Sequence, residues 1–151
     1  MLQTVRERLG KVLAIASKLA REHFDQRLRT VGASFPTYMV LTHAEAYPGL
    51  SQRRLADRLG IEGPTLVRHI DRLVAEGLVR RVRDPQDRRV SRVELTADGK
   101  EAADRYTTVA NKSDAEFRSL FTADELTTLY ELLYRIQDHY AKEPDAQHRT
   151  G

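Results

Sequence analysis

The tightest constraint on this chain is the punctuation between residues 51 and 99. Ser51 stands where an N-cap belongs, and Leu55, Ala56 and Leu59 follow at helical spacing before Gly60 breaks the run. A serine hydroxyl at that position accepts from an otherwise orphaned backbone N–H. After Ile61-Glu62-Gly63, Pro64 sits at an expected first helical position, and the run that it opens reaches Glu76, where Gly77 stops it. Isolated helices shorter than about 12–15 residues are marginal in water. Two short helices joined by a tight glycine-containing turn are the arrangement of a helix-turn-helix. Two β-like runs come next, 78–83 and 90–96, around the charged, turn-rich tip Asp84-Pro85-Gln86-Asp87-Arg88-Arg89. In the second run Ser91, Val93 and Leu95 share one face and Arg92 and Glu94 the other, the alternation of a hairpin with one buried side.

Long helices flank this segment. Val5, Leu9, Val12, Ala16, Leu19 and His23 recur at three- and four-residue steps, with Leu13, Ala20 and Phe24 beside them, which predicts an amphipathic helix over roughly 2–28. A second helix is expected from Ser34, with Pro36 just inside it, to Tyr47-Pro48-Gly49. Beyond the hairpin, Thr96-Ala97-Asp98-Gly99 opens a helix to about Leu120, and Thr122-x-x-Glu125 is a capping box for the last one. There Leu126, Leu129, Tyr130, Leu133, Ile136 and Tyr140 form a heptad-like seam. The chain thus reads as mainly α with a small β-hairpin wing, a winged helix-turn-helix flanked by N- and C-terminal dimerisation helices. The expected divisions are 1–48, N-terminal helices; 49–97, the helix-turn-helix and hairpin; 98–141, C-terminal helices; and 142–151, a polar disordered tail. The terminal seams can pack within one chain or against a second copy.

Charge placement narrows the function. Residues 51–100 hold twelve Lys/Arg against eight Asp/Glu, whereas the rest of the chain is nearly balanced. Six arginines fall between Arg80 and Arg92, and all ten aromatic residues lie outside this basic third. A basic segment without aromatic rings suits the phosphates of duplex DNA better than the stacked bases of single strands. The absence of cysteine excludes disulfides, thiol nucleophiles and cysteine-ligated zinc. The five histidines are scattered and form no His-x-x-x-His pair. No phosphate loop, nucleophile elbow or paired-carboxylate site stands out. The expectation is a protein without catalytic activity, cofactor or metal. With neither a secretory leader nor a run near the roughly 18 apolar residues that span a bilayer, it is placed in the cytoplasm, off the membrane.

Within 64–76, at about 100° per residue, Leu66, Ile70, Leu73 and Val74 cluster and should face the core. Arg68 then lies opposite, with Thr65 and Arg72 on its flank. The DNA major groove admits one α-helix, and arginine reads guanine O6 and N7 in bidentate fashion. In isolation the same arginines would fit an ordinary solvated face. The adjacent hairpin favours the DNA reading, because its tip places Arg88 and Arg89 on a narrow projection where Asp87 can hold a guanidinium extended. An extended arginine suits the electronegative minor groove.

The ordered set Leu55-Ala56-Asp57-Arg58-Leu59-Gly60-Ile61, Pro64-Thr65-Leu66-Val67-Arg68-His69-Ile70-Asp71-Arg72-Leu73, Glu76-Gly77-Leu78-Val79, Asp84-Pro85-Gln86-Asp87-Arg88-Arg89 and Leu95-Thr96-x-x-Gly99 resembles the MarR family of bacterial winged-helix regulators over roughly residues 5–141. Gly60-Ile61-Glu62-Gly63-Pro64-Thr65-Leu66-Val67-Arg68 is closest to its SlyA-type branch. The resemblance implies a homodimer with interlocked terminal helices that reads a palindromic operator in double-stranded DNA and regulates transcription, as a repressor. It places Pro64, Thr65 and Arg68 in the major groove, Arg89 supported by Asp87 in the minor groove, and Ser51 and Gln52 against phosphate. Arg53, His69, Arg72, Arg83 and Arg88 complete the expected DNA-binding set. The family binds small anionic aromatic compounds, and the corresponding positions here are Lys18, Arg21, Tyr38, Thr42, Leu66 and His69. They would supply two cations, an aromatic wall and polar fixers for a phenolic or aromatic carboxylate effector, although the chain departs from the branch in lacking Trp. A ligand there acts only through its affinity difference between two spacings of the reading helices. Two competing readings are a non-specific architectural DNA protein and a winged helix that contacts only protein.

Overall fold

A computed structural model describes residues 8–141. In chain order they form α1 (Leu9–Arg29), α2 (Phe35–Ala46), α3 (Gln52–Leu59), α4 (Gly63–Ala75), β1 (Val79–Arg83), β2 (Ser91–Leu95), α5 (Ala97–Arg118) and α6 (Ala123–Ala141). The chain divides after Ser113 into two compact units, so α5 begins in the first and ends in the second. The start of the expected first helix, with Val5, and the expected disordered tail lie outside the described residues.

Local chemistry sets the boundaries. Ser34 caps α2 by accepting from the Thr37 N–H, and Ser51 caps α3 by accepting from the Arg54 N–H at 3.2 Å. The Asp25 carboxylate of α1 accepts the Phe35 N–H at 2.9 Å and fixes where α2 departs. That bond, reinforced by Arg29, holds the Asp25 carboxyl below the usual aspartate value. Helix α4 starts one residue before the proline expected to open it. Gly63 lacks the Cβ that would clash with the Pro64 ring in helical geometry, and the N–H that proline lacks would be unpaired in a first turn anyway. Gly60 ends α3 at φ +63°, a left-handed conformation that costs glycine little.

The first unit is built on one core. Leu28, Val40, Leu41, Leu55, Leu66, Ile70, Leu73, Val79, Val93, Ala102, Ala103 and Tyr106 are buried together, drawn from five helices and both strands. Val74, expected among them, is 38% exposed. It sits at the edge of the apolar stripe in the last full turn, and Leu66, Ile70 and Leu73 fill the space without it. The strands pair antiparallel, with Val79 opposite Leu95 and Arg81 opposite Val93. An isolated bridge from Ser51 to Arg92 ties the start of α3 to the hairpin.

Gly99 explains the junction at Leu95-Thr96-x-x-Gly99. The Thr96 hydroxyl donates to the Gly77 carbonyl at 2.6 Å and accepts the Gly99 N–H at 3.0 Å, while the Thr96 N–H donates to the Leu78 carbonyl. The start of α5 is thereby pressed onto the α4–β1 turn. A Cβ on Gly99 would lie 1.8 Å from the Leu78 carbonyl oxygen, so no other residue fits without moving backbone.

In the second unit the expected capping box forms. Thr122 N–H donates to the Glu125 carboxylate at 2.8 Å and Glu125 N–H to the Thr122 hydroxyl at 3.3 Å, and these bonds lower the Glu125 pKa. No residue of α6 is fully buried, although its seam is strongly apolar.

Candidate nucleic-acid interface

The polar face of α4 is open. Pro64 and Arg68 are exposed, Thr65 and His69 half-buried on one flank, and Val67 exposed on the other. An Arg68 Nη–H reaches the Thr65 hydroxyl at 3.5 Å, a loose tether that leaves most of the guanidinium to solvent. Arg72 is paired with Glu76 one turn on, at 2.8 Å. At the neighbouring start of α3, Ser51 uses its hydroxyl for the cap, Gln52 is half-buried against the hairpin and Arg53 is exposed.

The hairpin tip is shaped by its own carboxylates. One Asp84 oxygen accepts the Gln86 N–H at 2.7 Å and the Asp87 N–H at 3.3 Å, and the other pairs with Arg92. These bonds, the Gln86 N–H foremost, hold the Asp84 carboxyl below the ordinary aspartate range despite some desolvation. One Asp87 oxygen accepts the Arg89 N–H at 3.0 Å and its Nε–H at 3.3 Å. The Arg89 side chain is 91% exposed, so it leaves the tip anchored at its base and free at its fork. Arg83 donates to the Arg88 carbonyl at 3.1 Å and so braces the tip from within, while Arg88 itself is exposed.

The six residues expected to line an effector pocket are placed more diversely. Arg21 stacks its guanidinium 4.8 Å from the Phe35 ring centre, and Tyr38 packs edge-on against Phe24 at 5.2 Å, so α1 and α2 build a shared aromatic corner. Lys18 lies on the exposed side of α1 beside Glu22. Thr42 donates its hydroxyl to the Tyr38 carbonyl at 2.8 Å. Leu66 is sealed in the core and offers no surface to a ligand in this conformation, and His69 is half-buried on α4.

Two connections were missed by reading the sequence. Arg92, assigned to the outer face, is two-thirds buried and clips Asp84 beneath the tip. Arg81 shares the inward face of the hairpin with Val79 and Val93, and its guanidinium meets both Gln52 of α3 and Asp71 of α4. The available signal was the strand period: an arginine on an inward face must find an acceptor.

The MarR family model matches residues 32–90, a span covering α2, the helix-turn-helix and the hairpin tip. The PcaV transcriptional regulator from Streptomyces coelicolor, solved with its natural ligand, is 30% identical; the match covers 91% of this chain and 95% of that one at a TM-score of 0.71. The transcriptional repressor CouR bound to a 23-mer DNA duplex is 29% identical over 91% of this chain and 97% of its own, with a TM-score of 0.82. A mutant of MarR from E. coli complexed with operator DNA is 25% identical over 85% and 92%, with a TM-score of 0.79. Helix order, the exposed α4 face, the arginine-tipped hairpin and near end-to-end similarity at this identity converge, and the chain belongs to the MarR family of winged-helix transcriptional regulators.

Proposed function

We propose that the protein is a homodimeric, cytoplasmic transcriptional repressor without catalytic activity, which reads a palindromic operator in double-stranded DNA and is released by a small phenolic or aromatic carboxylate. Helix α4 enters the major groove with Pro64, Thr65 and Arg68, flanked by His69 and Arg72. Arg89, seated on Asp87, enters the adjacent minor groove, with Arg83 and Arg88 shaping the tip. Ser51, Gln52 and Arg53 at the start of α3 meet phosphate, where the free N–H groups of a helix N-terminus favour anions. Effector binding is assigned to Lys18, Arg21, Tyr38, Thr42, Leu66 and His69, and requires Leu66 and its neighbours to part.

The observation that carries the DNA reading is the pairing of Arg68 and Arg89. Each is solvent-exposed and lightly tethered, one on a helix face and one on a β-projection. Guanine O6 and N7 give the Arg68 fork bidentate acceptors in the major groove, and the negative potential of a narrow minor groove suits the Arg89 fork. Dimerisation is supported by the apolar residues that the single chain leaves outside: Leu9 at 74% and Leu19 at 59% on α1, and Leu132, Tyr134 and Tyr140 on α6. The operator complexes of CouR and of E. coli MarR, and the ligand complex of PcaV, are the parallels for the DNA and effector halves.

Selection of bound sequences from a random duplex pool tests the reading. The expected product is a two-fold symmetric motif with half-sites about one helical turn apart. Recovery of no motif, with equal affinity for all duplexes, would show an architectural DNA protein instead. Aromatic carboxylates titrated into the complex should release the selected duplex.

A further inference from the structure

We infer that Arg81 is the positioning residue of the reading head, locking the start of α3, the α4 helix and the hairpin strand into one register. The inference rests on the DNA-binding reading above and adds to it a residue outside the DNA-facing set. Arg81 lies in the middle of β1, on the strand face that carries Val79 and Val93. From there its Nε–H donates to the Gln52 side-chain oxygen at 3.0 Å, and a terminal nitrogen pairs with the Asp71 carboxylate. One planar fork thus touches two helices from a third element, 29 residues from Gln52 in sequence. About a third of the Arg81 side chain and 58% of that of Asp71 are exposed, so the pair acts through its geometry more than through its charge.

Two consequences follow for recognition. Because Gln52 spends its oxygen on Arg81, its NH2 group is turned away from Arg81 and oriented as a donor, the polarity that a phosphate oxygen requires. Because Asp71 lies one turn beyond Arg68, pairing it to β1 fixes the rotation of α4 about its axis relative to the strand that leads to Arg89. The other arginine links in the hairpin do not span elements in this way. Arg80 pairs with Glu94 across the two strands, and Arg83 bonds within the tip. Lysine keeps the charge of arginine but offers a single point donor, so it cannot satisfy Gln52 and Asp71 in this fork geometry.

The test measures affinity of the full-length protein for its selected duplex and for a random duplex across a salt series, by fluorescence anisotropy. Arg81→Lys is expected to lose about tenfold on the selected duplex, under twofold on random duplex, with an unchanged salt slope, because charge is conserved and geometry is not. Asp71→Asn should lose part of the same preference, and combining it with Arg81→Lys should add little, the mark of one coupled unit. If Arg81→Lys binds both duplexes like the parent, the positioning role is overturned. It is equally overturned if Arg81→Met loses the same factor on both duplexes with a smaller salt slope, since Arg81 would then be a plain phosphate contact. Should Arg81→Lys melt near the assay temperature, Asp71→Asn decides the matter: loss on the selected duplex alone supports the role, and parent-like binding of both duplexes overturns it. A parent protein that prefers no duplex would instead overturn the DNA-binding reading itself.

Discussion

Arg68 and Gly99 show how differently single positions are constrained in this molecule. Arg68 does little for the folded chain, since its one recorded bond is a long contact to Thr65. Arg68→Ala should therefore leave the urea midpoint within about 0.5 kcal/mol of the parent. It should weaken binding by about 1–3 kcal/mol at one base pair and relax preference there. Equal loss on selected and random duplexes would contradict that role. Gly99 is the reverse case, far from any expected contact with DNA yet with no room for a methyl group. Gly99→Ala forces the α5 start off the Leu78 carbonyl and should destabilise the fold by about 3 kcal/mol in urea unfolding. The sequence made both residues visible, for unlike reasons. Arg68 followed from angular position alone. Gly99 entered only as part of the Leu95-Thr96-x-x-Gly99 motif, because close approach between distant backbones leaves no periodic trace.

Among the elements, the hairpin concentrates the argument. Its strands and turn-rich tip were legible from alternation and from Asp-Pro, and α3 and α4 from their caps and glycine stops. What alternation did not disclose was the destination of the charged ends. Arg92 was placed on the solvent side and Arg81 was passed over, because a guanidinium on a long stem can double back to a carboxylate many residues away. Arg89→Ala should weaken DNA binding and reduce the salt slope by about one unit. An unchanged slope would show that the hairpin stays off the duplex. The tip also has an acid limit. Asp84 is held below its ordinary value of 3.8, so its ionised form is favoured by folding. The order that it confers is complete above the unfolded value and fades as pH falls through the lower folded value. Protection of the Gln86 and Asp87 amides, taken relative to the exchange rate of an unstructured chain at the same pH, should accordingly hold from neutral pH to about 5 and fall only in stronger acid. Protection already lost near pH 6 would mean that another group holds the tip.

At the scale of the whole molecule, apolar side chains left in solvent are the central fact. Leu19 is more than half exposed on a helix whose sequence is plainly amphipathic. Leu19→Asp should convert the dimer to single chains in sedimentation velocity, and lower affinity for the symmetric duplex far more than for an isolated half-site. A persistent dimer would move the interface off α1. The seams of α1 and α6 were evident from three- and four-residue spacing, but whether a second copy covers them was not, since periodicity reports a buried face and not the owner of its cover. The effector positions were less legible still. Leu66 was named as lining on resemblance, and its burial follows from the same wheel that put Ile70 and Leu73 inward.

The joint at Gly99 has a consequence for tolerance to change. With the Leu78 carbonyl, just ahead of β1, lying where a side chain would be, and the Thr96 hydroxyl bonded to the Gly77 carbonyl, the first turn of α5 is seated directly on the α4–β1 turn. Within the first unit the α5 start, the end of α4 and the root of the hairpin are therefore held as one joint, and a residue larger than glycine at 99 would disturb all three at once.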